Sequence, residues 1–203
     1  MSDQSGVASK GGWLKWALVG VAIFGVAAVL YIIARASSKP ELDTDLKSVS
    51  RGEMKKLETP LEAAVAPPNA FQNAAGEPVR IADFKGKIVV LNLWATWCAP
   101  CVAEMPTLDA VAADYGKKGL AVLTISQDSQ GETVIKPFFE KHPLPHLKGW
   151  IDPENQFGFH YNTGMLPTTV IYDAQGKEMV RVVGAMDWAS KEGRELIEAA
   201  MAS

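Results

Sequence analysis

Cys98 and Cys101 are the only cysteines in 203 residues, set in the run Trp97-Cys98-Ala99-Pro100-Cys101. An apolar stretch from Ile88 to Trp94 leads into them, and a helical pattern leads away. Two sulfurs about one turn apart at a helix start can close a disulfide and open it again. The first faces unpaired backbone N–H groups and the positive end of the helix dipole, which favour the thiolate, the reactive form. This order predicts an exposed, low-pKa Cys98 and a buried Cys101. The chemistry it points to is thiol–disulfide exchange.

Two blander readings compete. A structural disulfide normally ties distant parts of a chain, whereas this pair closes a very short loop. A zinc site needs about four ligands. Two of His142, His146 and His160 would have to join the thiolates, and none has the paired spacing of a zinc finger. No cofactor is expected, apart from the redox-active disulfide Cys98–Cys101 itself.

The elements around the pair follow from periodicity. Ile88–Leu93 and Leu120–Ile125 are continuous apolar runs, the mark of strands buried on both faces. Between them a helix runs from Cys98 to about Tyr115, with Pro106 inside it, and Gly116 and Gly119 end it. Further helices are expected at Glu132–Lys141, around Phe157–Asn162 and from Trp188 to about Met201, the last facing Leu196, Ile197 and Ala200 inward. Phe71–Ile81 reads as two short strands about Gly76, and Thr168–Tyr172 pairs with Glu178–Val183 across the turn Asp173–Lys177. That order predicts an α/β domain whose mixed central sheet has a parallel part and a closing antiparallel hairpin.

The N-terminus is of another kind. Trp16–Ala34 carries no charge and as a helix spans roughly 28 Å, close to the hydrocarbon thickness of a bilayer. Trp13, Trp16 and Tyr31 lie near its ends. The competing reading is a cleaved signal peptide, since Ala34-Arg35-Ala36 resembles a processing site. The expected organisation is a cytoplasmic tail at 1–15, a transmembrane anchor at 16–34, a linker with a short helix at 35–59 and the catalytic domain at 60–203. Lys10 and Lys15 nearly balance Arg35 and Lys39, so charge alone does not orient the span. The short tail and the redox domain favour the domain outside, in the periplasm of a bacterial inner membrane. A net charge of −3 gives no reason to expect a nucleic-acid partner.

The phrases Trp97-Cys98-Ala99-Pro100-Cys101, Glu104-Met105-Pro106 and Gly164-Met165-Leu166-Pro167-Thr168-Thr169 together resemble the TlpA/ResA/CcmG-type branch of the thioredoxin superfamily. Asn92–Cys98 is most like its TlpA members. The resemblance implies a thioredoxin-like fold over about residues 60–203. It implies Cys98 as nucleophile, Cys101 as resolving thiol, and Pro167 as a cis-proline facing the pair, against a plain reading as a trans proline at a strand start. Trp97, Pro100, Leu166 and Pro167 are the expected substrate contacts.

Glu104 follows Cys101 by three residues and returns to roughly the same helical face. A carboxylate there could exchange a proton with Cys101, and its charge disfavours a nearby thiolate. The resemblance carries such a role, expected to act on the thiols and little on the fold, against the ordinary fate of a solvated glutamate. Asn92 stands where thioredoxin has a buried acid and cannot serve as a base. The surplus chain from about Gln127 to Ile151 matches the family's central insertion, where His146 and Trp150 read as packing residues.

The function implied is a membrane-anchored reductase of extracytoplasmic protein disulfides, with apocytochrome c or copper-centre assembly proteins as substrates and a membrane thiol reductant upstream. Ala99-Pro100 lacks the histidine that strongly oxidising relatives carry beside the second cysteine, which speaks for the reducing direction. The alternatives are a disulfide-forming oxidase or isomerase, and a copper chaperone.

Overall fold

A computed structural model describes residues 57–58 and 64–203. The tail at 1–15, the span at 16–34 and nearly all of the linker at 35–59 lie outside the described residues. Among the described residues, no helix is long and apolar enough to cross a membrane.

One eight-stranded sheet organises the domain. Its strands are β1 (Leu57–Glu58), β2 (Ala70–Gln72), β3 (Pro78–Arg80), β4 (Ile88–Trp94), β5 (Leu120–Ser126), β6 (Trp150–Ile151), β7 (Thr168–Tyr172) and β8 (Glu178–Val183). They lie in the order β1-β8-β7-β4-β5-β6-β2-β3. Four helices join them: α1 (Ala99–Tyr115), α2 (Glu132–Lys141), α3 (Gln156–Tyr161) and α4 (Lys191–Met201). β4, β5 and β6 run parallel, because α1 and α2 carry the chain back between them; β7 and β8 add antiparallel to β4. The expected mixed sheet is observed, with its parallel centre and closing hairpin.

Two strands differ from the sequence reading. Leu57, read as the end of a helical piece, pairs with Val182 on the outer edge of β8. Trp150–Ile151, read as loop packing, forms β6 beside β5 and hands the sheet on to β2. Two-residue strands carry no period of their own; the free edge beside them sets their backbone.

Every residue of β4 is buried, and its alternation assigns the two faces. Val89, Leu91 and Leu93 join Phe71, Trp150, Phe157 and Tyr161 in one apolar core. There Phe71 meets Trp150 and Phe157 edge-on, with ring centroids at 5.2 and 5.9 Å. Asn92 points to the opposite face, under α1. Local chemistry ends the helices. Pro100 sits in the first turn of α1, where a missing N–H costs nothing. Ser190 caps α4 by accepting from Gly193 N at 3.1 Å. A Cβ at Gly193 would stand 2.6 Å from the Trp188 carbonyl oxygen, so this close approach requires glycine.

Candidate active site

Cys98 is the N-cap residue of α1, immediately beyond the C-terminal end of β4. Its sulfur is bonded to that of Cys101, one turn into the helix. Cys98 N donates to Ala95 O at 3.1 Å, and Cys98 O accepts from Val102 N at 3.0 Å, so the first cysteine is fixed from both sides. Cys98 is 6% exposed and Cys101 fully buried. The expected order of accessibility holds, but Cys98 is not the exposed residue the sequence suggested. It lies at the end of a groove that walls most of it in.

The approach to Cys98 is held by an acid that the sequence reading passed over. Asp128, two residues past β5, is buried and accepts from Thr96 N at 2.8 Å, Thr96 Oγ1 at 2.9 Å and Ser126 Oγ at 2.8 Å. Three donors on one carboxylate fix the turn that delivers Cys98. The available signal was position alone: the end of a parallel strand beside the strand carrying the cysteines, where open α/β sheets place their sites.

Glu104 is 4% exposed, so the solvated reading is excluded. Asn92 Nδ2 donates to Glu104 Oε1 at 2.7 Å and to Thr169 Oγ1 at 2.9 Å, and Met186 N donates to Glu104 Oε2 at 3.1 Å. Thr169 is also the register partner of Asn92 across β4 and β7. The carboxylate thus ties α1 to β4, through Asn92 to β7, and to the loop after β8. The expectation that Glu104 leaves the fold alone is corrected by these bonds.

The Leu166–Pro167 peptide is cis, as the resemblance implies. Pro167 is buried, and its carbonyl accepts from Gly184 N at 2.8 Å. Met165 O accepts from Thr168 Oγ1 at 2.8 Å, which stiffens the loop ahead of it.

Trp97, Cys98 and Leu166, three of the sequence-selected residues, line one groove of about 570 Å³ with Gln127, Phe159 and Met165 among the others. No charged side chain lines it. Trp97, Phe159 and Met165 are 72, 75 and 54% exposed. They are three of the four large exposed apolar side chains among the described residues, the fourth being Val65. Their gathering around one sulfur marks an interaction surface. Pro100, exposed at the start of α1, and the buried Pro167 are not among the residues that line the groove.

The far wall of the groove is α3. Asp152 accepts from Gln156 N at 3.1 Å and Phe157 N at 2.8 Å at its start. At its end Arg181, held by Glu178, donates to Tyr161 O at 3.1 Å. Tyr161 and Tyr172 share a hydrogen bond between their hydroxyls beneath it. Burial pushes both phenols above the ordinary tyrosine value, with the neighbouring Tyr172 adding to the rise at Tyr161.

The histidines take other places. His142 stacks on Phe138, His146 pairs with Asp109 at 3.0 Å, and His160 lies exposed on α3. Among the described residues no group of three or more His, Cys, Asp or Glu side chains is arranged to hold a metal ion.

The AhpC/TSA family model matches residues 63–181. The thiol-disulfide oxidoreductase ResA of Bacillus cereus is 31% identical over 128 residues, 63% of this chain and 73% of its own length. ResA of Geobacillus kaustophilus is 32% identical over 123 residues, 61% and 70% of the two chains. Among solved structures, a protein described as the thiol:disulfide interchange protein DsbE of Chlorobium tepidum superposes with a TM-score of 0.63 at 27% identity. That match covers 69% of this chain and 97% of the other. The chain belongs to the AhpC/TSA family, has a thioredoxin-like fold, and is a thiol–disulfide oxidoreductase related to ResA.

Proposed function

We propose that this member of the AhpC/TSA family is a reductase of protein disulfides, anchored by residues 16–34 with its catalytic domain outside the cytoplasm. The observation that carries the direction is electrostatic. Buried Glu104 lies one turn beyond Cys101, and the groove that reaches Cys98 presents no cation. A pair is a strong oxidant when its reduced, thiolate form is stabilised. The start of α1 favours a Cys98 thiolate, but an ionised Glu104 would oppose it and Ala99-Pro100 adds no histidine or cation, which supports the reducing direction.

The exchange balances in two steps. Cys98 thiolate attacks one sulfur of the substrate disulfide, forming a mixed disulfide and releasing one substrate thiolate. Cys101, deprotonated, attacks the Cys98 sulfur and releases the second. Two electrons pass to the substrate and the Cys98–Cys101 bond forms. Glu104 is the group one turn away that can take the Cys101 proton. A membrane thiol reductant then restores the pair. The uncharged, apolar rim of Trp97, Met165, Leu166 and Phe159 suits an unfolded or extended cysteine-bearing segment, which supports apocytochrome c or a copper-centre assembly protein as substrate.

Cys101→Ser strands the mixed disulfide on Cys98. Expressed in the host membrane, this variant is expected to hold an extracytoplasmic protein through a reducible bond. A redox titration of the native pair gives the direction. A potential near thioredoxin's, about −270 mV, is expected, and one near −120 mV would make the protein an oxidase.

A further inference from the structure

We infer that Gln127 is a substrate-reading residue, whose amide pairs with the backbone of the polypeptide segment carrying the disulfide that Cys98 exchanges. This rests on the reading of the partner as a protein.

Gln127 stands directly after β5, its backbone N held by Trp94 O at 2.8 Å, and it lines the groove that ends at Cys98. Both atoms of its side-chain amide are buried, and neither has a hydrogen-bond partner among the described residues. An unpaired buried amide works against the folded state, and such groups call for a reason. The surroundings supply one. A Cβ at Gly158 on α3 would meet Asn155 Oδ1 at 2.0 Å and Gln127 Oε1 at 3.0 Å. Two amide side chains therefore occupy the space that the missing side chain leaves, in a groove whose lining is uncharged. Gln127 as a whole is partly exposed and has three side-chain torsions, so a rotamer change brings its amide into the groove.

An amide offers two donors and an acceptor. These complement the N–H and C=O of an extended backbone and take no account of side-chain charge. The groove thus distinguishes a polypeptide disulfide from a small one, and it does so without dictating sequence.

The test compares two probes of the reduced protein: a cyclic disulfide peptide of uncharged residues, and bis(2-hydroxyethyl) disulfide. In Gln127→Met, which keeps the length and removes the amide, the ratio of the two rate constants is expected to fall about tenfold, the equivalent of one to two hydrogen bonds to bound chain. The melting midpoint of the free protein is expected to hold or rise. Gln127→Asn is expected to recover part of the ratio. An unchanged ratio, an equal fall with both probes, or a lowered midpoint in Gln127→Met overturns the assignment. Failure of the native protein to reduce the peptide counts against the reductase reading instead. The same ratio is then read from the oxidised protein with the peptide dithiol and 2-mercaptoethanol, since both directions pass through the Cys98 mixed disulfide.

Discussion

Asn92 Nδ2 donates to Glu104 Oε1 at 2.7 Å in the fully buried layer between β4 and α1. The two side chains are a matched set. An amide donor meets a carboxylate that also accepts from Met186 N, and Thr169 Oγ1 takes the second amide hydrogen. Glu104→Gln offers one acceptor where two donors converge, so either its NH2 faces a donor or the Asn92 amide turns over and puts its own NH2 where Oδ1 has no partner. The loss is about 1–3 kcal/mol, a drop of several degrees in melting midpoint. Removing the charge also eases ionisation of the thiols, so iodoacetamide labelling of the reduced pair should set in at lower pH. A variant that matches the native protein in both midpoint and labelling profile would show that the carboxylate neither holds α1 nor acts on the pair.

Asp128 separates acceptor geometry from charge. In Asp128→Asn one oxygen still accepts from Thr96 N and Ser126 Oγ, while the NH2 can donate to Thr96 Oγ1, whose hydroxyl turns to accept. The cost should stay below about 1 kcal/mol. Asp128→Ala leaves the half-buried Thr96 N–H and the buried Ser126 hydroxyl without this acceptor and frees the turn before Cys98, so about 1–3 kcal/mol is expected along with slower disulfide exchange. Urea denaturation and exchange kinetics on both variants decide it. Equal losses in Asn and Ala would mean the charge, not the acceptor pattern, matters.

Much of this site was legible because its signals are local. A buried strand, a cysteine pair at a helix start and a Leu-Pro-Thr phrase each declare themselves within a few residues. Asp128 and Gln127 do not, since each acts across the strand boundary on residues more than 30 positions away or on a groove built from three segments. Glu104 was found by its spacing from Cys101, but its burial was not. α1 carries Cys101, Met105, Leu108 and Val111 with small residues over much of its remaining surface. Its buried face is therefore set by what it packs on, and only the sheet shows that Asn92 waits beneath.

Cys98 and Cys101 should part on reduction. Cys98 retains 6% exposure at the groove end and heads the helix, while Cys101 is fully buried in its first turn. Limited alkylation of the reduced protein near neutral pH, followed by peptide mapping, should find label on Cys98 first. Label arriving first on Cys101 would reverse their roles as nucleophile and resolving thiol.

Tyr161 and Tyr172 set an alkaline limit on the wall of the groove. Burial raises both phenols in the folded state above the value of about 10 they take when unfolded. For a group raised in this way, the stability it contributes is fully present below the unfolded value and is lost as pH climbs toward the folded one. Above about pH 10 the unfolded chain releases protons that the folded chain retains, so each such tyrosine steepens the loss by up to about 1.4 kcal/mol per pH unit. Because Tyr161 closes α3, the groove should loosen over the same range. The double variant Tyr161→Phe, Tyr172→Phe keeps the rings and removes the titrating hydroxyls. Its urea midpoint, followed from pH 8 to 11.5, should fall less steeply than that of the native protein above pH 10 and run parallel to it below. Parallel curves throughout would place the alkaline limit on other groups.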